Sequence, residues 1–188
     1  MKFIKTNKKQ KTFYKLRKKI FLFIINNIDQ TIFEIFGYSF FKIYFNLNYN
    51  NNYILCDEKK IIGLISYIDL DKIHQLKKEA LFYIIKNPFL LIKIIPKFYI
   101  FFKSRNSPHN YLQLLHLILD KNILKKISKK NRDKSINTLH KKVMMNKFIG
   151  IYASYSRKNY IAESYYKKNK YEIFDENLFY KFVKKKLK

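Results

Sequence analysis

The sequence contains a single cysteine, Cys56, and this scarcity excludes two kinds of chemistry. One thiol cannot form an intramolecular disulfide, and a cysteine-based metal site needs several thiolates. Cys56 is best interpreted as a small apolar residue of a strand, in a protein of the reducing cytoplasm. No metal site is predicted from histidine either, because the four histidines lack ligand spacing: His74, His109, His116 and His140.

Acidic residues are also scarce: 13 Asp+Glu stand against 40 Lys+Arg, which gives a formal net charge of +27. A field of this strength attracts polyanions such as nucleic acid, anionic lipid or a phosphorylated cofactor. A compositional explanation competes with this one. Lysine, asparagine, isoleucine, phenylalanine and tyrosine are abundant together, and A/T-rich codons encode all five. Because the lysines are spread along the chain, charge alone does not choose between the two.

Motifs of nucleic-acid-binding proteins are lacking, since no RNP, KH, helix-turn-helix or zinc pattern is present. Lysine far outnumbers arginine, whereas bidentate contacts to bases and phosphates favour arginine. The tyrosines and phenylalanines lie mainly inside apolar runs, which favours packing over base stacking. We therefore expect nucleic-acid binding to be non-specific and dependent on salt.

The chain also lacks a long uninterrupted apolar run. The apolar part of the basic N-terminus is broken by Asn26 and Asn27, and no small-residue cleavage site follows, which argues against a secretory signal. A spanning helix needs about 20 mostly uninterrupted apolar residues. The longest apolar stretch, Leu81 to Phe102, is interrupted by Lys86, Pro88, Lys93, Pro96 and Lys97. The segment from Ala80 to Lys103 is expected instead to cover an acceptor site or to rest on an anionic membrane surface.

Apolar residues make up 48% of the 188 residues, which is enough for one domain with a sizeable core. Their periodicity and the turn residues predict an ordered set of elements. These are a basic helix over 11–28, a helix starting at the capping box Thr31 to Glu34, strands 53–56 and 61–68, helices over 70–103, a strand 111–119, a helix from Asp133, a strand 147–153, a helix 160–168 and two last strands, "YEIF" and "LFYKFV". The order predicts an α/β fold in which helices flank a mixed central β-sheet.

The stretch "NYIAESYYKKNKYEIF" (residues 159–174) contains the most specific pattern. Asn159 precedes a predicted helix, and a strand follows that helix at once. The residues in the pattern are Asn159, Ala162, Tyr165, Tyr166, Lys168, Lys170 and Tyr171. They resemble the A-x-x-F-Y-x-K-x-G-F helix and following strand of the GNAT family of acyl-CoA N-acyltransferases, with Lys170 where glycine is usual.

A second stretch, "FGYSFFKIYF" (Phe36 to Phe45), resembles a helix of one bacterial GNAT branch. In that branch a hairpin with a glycine follows, matching Gly63, then a long helical insertion, and then a strand ending in aspartate, matching Asp120. The resemblance covers roughly residues 30 to 183. It implies a GNAT-like domain over 29–188, with the helical insertion at about 70–105 between the hairpin and the cofactor-binding strand. The residues before it, 1–28, are predicted from their own pattern as a basic N-terminal helix.

This resemblance implies a cleft between two parallel strands that splay apart, with residues 147–153 as one wall. Acetyl-CoA or another acyl-CoA would lie in the cleft as co-substrate, and no metal is implied. Its pantetheine arm would contact Leu117, Ile118, Leu119, Asp120 and Asn159. Tyr166 would protonate the departing thiolate, while Tyr165 packs inward. A small amine, with an amino sugar as one option, would attack the thioester directly.

The family's pyrophosphate turn, R-x-x-G-x-G before a helix, has no glycine counterpart here. One alignment places the turn on "KNILKKISKK", directly after Asp120. The other places it on "RDKSIN", which is Arg132, Asp133, Lys134, Ser135, Ile136 and Asn137. Either lysine side chains replace the backbone amides that glycines would present, or the cofactor site has decayed.

A further departure from the family concerns the base that deprotonates the amine. Gln113 occupies the place of a frequent acidic residue, and an amide cannot act as a base. His116 is the alternative, provided that it faces the cleft, although strand alternation places it on the opposite face from Gln113 and a core histidine is the competing interpretation.

Three functions are therefore open at this stage. The first is an acyl-CoA-dependent N-acyltransferase. The second is a catalytically inactive GNAT-like domain that binds a partner or an anionic surface, and the third is a basic protein that binds nucleic acid or a membrane surface.

Overall fold

A computed structural model describes residues 2–6, 13–27, 51–57, 60–68, 70–89, 108, 110–120, 128–144, 147–176 and 180–187. Within these residues there are seven strands and four helices. The strands are β1 Lys2–Lys5, β2 Asn52–Asp57, β3 Lys60–Ile68, β4 Tyr111–Leu119, β5 Gly150–Ser156, β6 Glu172–Glu176 and β7 Tyr180–Lys186. The helices are α1 Phe13–Ile25, α2 Leu70–Lys86, α3 Lys129–Met144 and α4 Tyr160–Lys168.

The strands form one mixed sheet in the order β1-β2-β3-β4-β5-β7-β6. Strands β4 and β5 are parallel, and every other neighbouring pair is antiparallel. The parallel pair is possible because α3 forms the crossover between its strands. The predicted α/β fold with a mixed central sheet is thus confirmed.

Several element boundaries differ from the prediction. Strand β1, which the sequence pattern does not indicate, pairs with β2 at the sheet edge. Helix α3 begins at Lys129 rather than at Asp133, because the Arg132 amide donates to the Ser128 carbonyl at 3.1 Å. Strand β5 begins later than predicted, at Gly150, and runs on to Ser156.

Other predictions fall on residues outside the described ranges. The helix from Thr31 to Phe45 lies there, as does most of the insertion beyond Phe89. The domain division at residue 28 and the extent of the insertion therefore remain predictions. For the part of the chain described, no helix is long and apolar enough to cross a membrane.

The core beneath α3 and α4 is rich in tyrosine. Its buried members are Ile65, Tyr67, Leu112, Leu114, Ile136, Leu139, Met144, Ile151, Ala153, Tyr155, Tyr165, Tyr166, Tyr171 and Val183. Helix α1 packs against β3, and its buried residues Ile20, Phe23 and Ile24 belong to none of this cluster. Helices α3 and α4 therefore pack on the sheet through this cluster, and α1 packs on β3 through other residues. The aromatic residues of this region serve packing, as the apolar runs predict.

A β-bulge in β4 changes which side chains share a face. Gln113 lies opposite Ile68 and His116 lies opposite Ser66, with a register shift between Ser66 and Tyr67. Residues two apart on β3 point to the same side, so Gln113 and His116 also share a face. The prediction from simple alternation, which placed them on opposite faces, is wrong because the bulge adds one residue between them.

Helix α4 ends in a Schellman motif. Asn169 is the C-cap, the Lys170 amide donates to the Lys167 carbonyl at 3.0 Å, and the Tyr171 amide donates to the Tyr166 carbonyl at 3.0 Å. The centroids of the Tyr166 and Tyr171 rings lie 4.9 Å apart, and this packing is the hydrophobic contact that accompanies such motifs. Lys170 has a φ of 59°, in the left-handed region, at the position where glycine is usual in the pattern.

Replacing Lys170 with glycine is expected to stabilise the protein by about 1 kcal/mol, because glycine adopts the left-handed conformation without the steric cost of a Cβ. Urea unfolding of the two proteins measures the difference. Lys167→Gly is the matched control, since it removes another exposed lysine from inside α4 and is expected to destabilise by about the same amount. A Lys170→Gly protein less stable than the parent would contradict the assignment.

Candidate active site

Strands β4 and β5 pair only at their amino-terminal ends. Their register runs from Tyr111–Gly150 to Leu114–Ala153. Beyond this point β4 continues to Leu119 alongside β3, and β5 continues to Ser156 alongside β7. The two parallel strands therefore diverge and open a gap at their carboxyl ends, which is where ligands bind in open α/β sheets.

Gly150 lets the two strands close at the other end of the pair. A Cβ at this position would collide with the Tyr111 ring and with the Lys185 carbonyl oxygen. Because glycine has no side chain, the Lys185 carbonyl of β7 and the Tyr111 ring of β4 can approach its backbone. The strands are thus held tightly at one end and separate at the other.

The β4 edge of the gap contains the four residues predicted to contact a pantetheine arm. Ile118 is fully buried, while Leu117 packs partly buried against the core under α3 and α4. The Asp120 amide donates to the Ile62 carbonyl at 2.9 Å, and its carboxylate lies 3.6 Å from Lys60 Nζ. The amide and the carboxylate of Asp120 thus tie the end of β4 to β3, and the other backbone edge of β4 borders the gap.

Asn159 lies just beyond the carboxyl end of β5 and begins α4. Its Oδ1 accepts the Ala162 amide at 2.9 Å, and its own amide donates to the Ser156 carbonyl at 2.8 Å. Asparagine is favoured at this N-cap position because its short side chain satisfies an amide that the helix leaves without a partner. The capping role ties the start of α4 to the β5 end of the gap.

Tyr165 and Tyr166 are both buried, at 8% and 7% exposure, so burial alone does not separate their roles. The Tyr166 ring stacks on Tyr155 with centroids 5.2 Å apart, and Tyr155 belongs to the part of β5 that has diverged from β4. Burial raises the pKa of the Tyr166 hydroxyl, so the phenol remains protonated at neutral pH.

Tyr165 packs among the neighbouring tyrosines of α4 and of the segment just before β6 rather than on β5. Its ring contacts those of Tyr166 and Tyr171, at 5.3 Å and 6.4 Å between centroids. The buried Tyr165 hydroxyl has no hydrogen-bond partner among the described residues. Of the two tyrosines, Tyr166 is the one whose ring adjoins the diverging strand.

On β4, His116 pairs with Ser66 of β3 and Gln113 pairs with Ile68, so the two side chains share one face of the sheet. Gln113 accepts a hydrogen bond from the Tyr152 hydroxyl at 2.7 Å, across to β5. Burial lowers the pKa of His116 to about 3, so its imidazole is neutral and only weakly basic at neutral pH. This environment favours the interpretation of His116 as a core histidine over that of a general base.

The "RDKSIN" alignment of a phosphate-binding turn does not agree with the fold. Residues 132–137 lie inside α3, where their backbone amides serve the helix. Ile136 is fully buried in the core, Asn137 donates to Asn169 at 2.9 Å, and Ser135 donates to the Asn131 carbonyl at 2.9 Å. The turn that precedes α3 must therefore come before Lys129, which favours the alignment on residues 121–130, most of them outside the described ranges.

Arg132 and Asp133, the first two residues of the "RDKSIN" segment, link α3 to α4. Asp133 is buried, and its carboxylate lies 3.2 Å from Arg132 Nε and 3.5 Å from Lys168 Nζ. Lys134 accepts the Thr138 hydroxyl through its carbonyl at 2.9 Å. Arg132 and Asp133 thus hold the amino-terminal end of α3 beside the end of α4, rather than forming a turn.

Tyr155 was not among the residues predicted for the site, because the predicted strand ends at Ala153. Two ion pairs near the carboxyl end of β5 were not predicted either: Lys181–Glu163 at 2.7 Å and Arg157–Glu176 at 2.8 Å. The sequence did offer one signal for Tyr155: an aromatic residue two positions after Ala153 is compatible with a longer strand. The ion-pair partners lie too far apart in sequence to be recognised.

In the described portion of the chain, no three His, Cys, Asp or Glu side chains are grouped to hold a metal ion.

Comparison with solved structures finds the same fold along the whole chain. Agmatine N-acetyltransferase in its apo form aligns with a TM-score of 0.67 at 9% identity, over 99% of each chain. The chain has the GNAT fold. Aminoglycoside 6′-acetyltransferase type Ii aligns at 0.60 and 14% identity, over 99% of this chain and 97% of the other. Another similar structure is the PaiA N-acetyltransferase of Thermoplasma acidophilum in complex with coenzyme A, at 0.54 and 13% identity over 99% of each chain. No protein-family model and no curated protein sequence matches this GNAT-fold chain.

Proposed function

We propose that this GNAT-fold protein is an N-acyltransferase that moves an acetyl or other acyl group from acyl-CoA to a primary amine by direct transfer. The observation that carries the proposal is the divergence of β4 and β5 after Leu114 and Ala153. An extended pantetheine arm fits such a gap, because it can bond to the strand backbone at its edge. The similar structures named above are acetyltransferases, and one of them contains coenzyme A.

The cofactor would be bound by three parts of this chain. The backbone of Leu117–Asp120 borders the arm on the β4 side, and Asn159 lies at the opposite side, where α4 begins. The phosphates would lie at the amino-terminal end of α3, where the helix dipole favours anions. In this proposal Lys125, Lys126, Lys129 and Lys130, which the sequence places before and at the start of α3, would supply the positive charge that glycine-directed amides supply elsewhere.

The chemical role of the chain's own residues centres on Tyr166. As the neutral amine attacks the thioester carbonyl, a C–N bond forms, the C–S bond breaks and the CoA sulfur leaves as a thiolate. Tyr166 gives this thiolate its proton, and the proton that the amine loses restores the phenol, so protons balance. The buried setting raises the pKa of Tyr166, and the same setting disfavours a thiolate, so the two anions are disfavoured together.

The acceptor is proposed to be a small primary amine, and an amino sugar is one candidate. A second function stays in competition because of one observation: the sequence has no glycine between Gly63 and Gly150, where the phosphate turn of the family would lie. A GNAT-fold protein that has lost acyl-CoA binding would show this feature as well.

Calorimetric titration with acetyl-CoA and with CoA, at low salt and at about 150 mM salt, separates the two functions. We expect micromolar binding that survives the higher salt, because an enclosed arm contributes affinity that screening does not remove. Binding that disappears with salt, or never appears, would contradict the proposal and support the non-catalytic alternative. Transfer to a panel of amines, followed by release of free thiol, then tests the reaction.

Asn159→Asp is the matched variant for the titration. The carboxylate keeps the N-cap oxygen of α4, so folding is preserved, but it removes the side-chain amide that can donate to a pantetheine carbonyl. We expect about tenfold weaker CoA binding with an unchanged melting temperature. If the variant binds CoA as tightly as the parent, Asn159 does not contact the cofactor. The proposal that CoA binds between β4 and β5 would not be affected.

A further inference from the structure

The outward face of α2 changes character half-way along the helix. Its exposed residues are His74, Gln75 and Lys78 in the first half, and Leu81, Phe82 and Ile85 in the second half. The opposite face, with Ile73, Leu76 and Ile84, is buried against the protein. The apolar residues of the outward face are therefore not needed to pack the helix.

The exposed apolar area is large and continues past the helix end. Leu81 is 41% exposed, Phe82 56%, Ile85 67% and Phe89 85%. We call these four residues the α2 apolar surface. Contiguous exposed apolar surfaces of this kind mark interaction sites with proteins or membranes, whereas isolated exposed apolar residues do not.

The charge near this surface is mostly positive: within α2, Lys78 and Lys86 lie close to it, and Glu79 is the one acidic residue in the second half of the helix. From Ala80 to Leu119 the sequence contains no aspartate or glutamate, but it contains Lys86, Lys93, Lys97, Lys103 and Arg105. Lys86 Nζ lies 4.4 Å from the centre of the Phe82 ring, so an ammonium group adjoins the apolar surface directly. A partner of matching chemistry must present apolar groups beneath a layer of negative charge.

We propose that the α2 apolar surface docks this protein on the surface of an anionic lipid bilayer. The two phenylalanines and the two aliphatic side chains would enter the boundary between headgroups and acyl chains, while Lys86 extends to the lipid phosphates. A second protein molecule of the same kind fits less well, because two chains of net charge +27 repel each other. Helix α2 has 17 residues with charges along its length, so it would lie on the bilayer and not span it.

The absence of tryptophan from the chain allows a direct test. In the full-length protein Phe89→Trp introduces a single fluorophore on the α2 apolar surface, and Ile173→Trp places one on β6, where the native side chain is 48% exposed. Vesicles of phosphatidylcholine with about one third phosphatidylglycerol are added to each. We expect a blue shift and quenching by brominated acyl chains for tryptophan at 89 but not at 173. Emission at 89 that does not change would overturn the proposal.

Vesicle co-sedimentation separates docking through this surface from general attraction by the net charge. The variant Phe82→Ser/Phe89→Ser is expected to bind the anionic vesicles at least about tenfold more weakly than the parent, with Ile173→Ser unchanged. Both replaced side chains are exposed, so the fold is retained, and circular dichroism checks this. If the double variant binds within about twofold of the parent, charge alone explains the binding and the proposal fails. It also fails if the parent ignores vesicles and sedimentation velocity shows a dimer that the double variant cannot form.

Discussion

Replacing Tyr166 with phenylalanine is expected to lower the turnover of acyl transfer by at least about a hundredfold, because the departing thiolate loses its positioned proton donor. Phenylalanine keeps the ring that stacks on Tyr155 at 5.2 Å and meets Tyr171 at 4.9 Å, so the core is preserved. The affinity for CoA is expected to remain within about twofold, since the hydroxyl acts only when the thioester bond breaks. Steady-state kinetics together with calorimetric titration of CoA measures both quantities.

Tyr165→Phe provides the matched control on the same helix. Tyr165 is buried to the same degree, and its hydroxyl has no hydrogen-bond partner among the described residues. Removing that hydroxyl is expected to leave turnover unchanged and stability equal or slightly higher, because a buried polar group without a partner is unfavourable. Equal losses of turnover in the two variants would show that the effect comes from packing. An unchanged turnover in Tyr166→Phe would show that another group protonates the thiolate.

Lowering the pH from 7 to about 5 is expected to remove about 4 kcal/mol from the free energy of unfolding, which is a large part of the stability of a typical domain. Burial lowers the pKa of His116 and of His140 to about 3 in the folded protein, against the ordinary value of 6.5. Between these values the unfolded chain binds protons that the folded protein excludes. The contribution of the two neutral histidines to the free energy of unfolding is therefore fully present above about pH 6.5, and by pH 5 it has fallen by about 2 kcal/mol for each histidine.

Urea unfolding at several pH values measures this loss, and a double variant isolates the share of His140. In the core, His140 Nδ1 and the Tyr67 hydroxyl form a hydrogen bond of 2.7 Å. Tyr67→Phe/His140→Leu removes both partners at once, so that neither remains buried without a bond. Its pH dependence between 7 and 5 is expected to be about half that of the parent. His74→Gln, at an exposed position of α2, is the control. An unchanged slope in the double variant would contradict the buried neutral state of His140.

The fold was accessible from the sequence because its signals are local. The hairpin β2–β3, the buried strand β4 and the succession of α4 and β6 follow from apolar runs and turn residues within a few positions of one another. The pattern from Asn159 to Tyr171 was recognisable for the same reason. Each of its residues has a local role, including the N-cap of Asn159 and the left-handed conformation of Lys170.

The candidate site was only partly accessible, because its geometry depends on pairings between distant segments. One extra residue in β4 places His116 on the face of Gln113, and no sequence period shows this shift. Helix α3 starts at Lys129, four residues before the predicted start at Asp133, and this places the "RDKSIN" alignment of the phosphate turn inside the helix. Strand β5 runs past its predicted end and brings Tyr155 against Tyr166.

Local patterns of apolar, turn and capping residues thus decide which elements this chain forms and in what order, since each pattern acts within a turn or a strand length. The tertiary structure decides where β4 and β5 separate, because Gly150 admits Tyr111 and Lys185 at one end, while beyond Leu114 and Ala153 the two strands pair only with β3 and β7. It also decides that His116 and His140 are neutral, because only folding removes them from water.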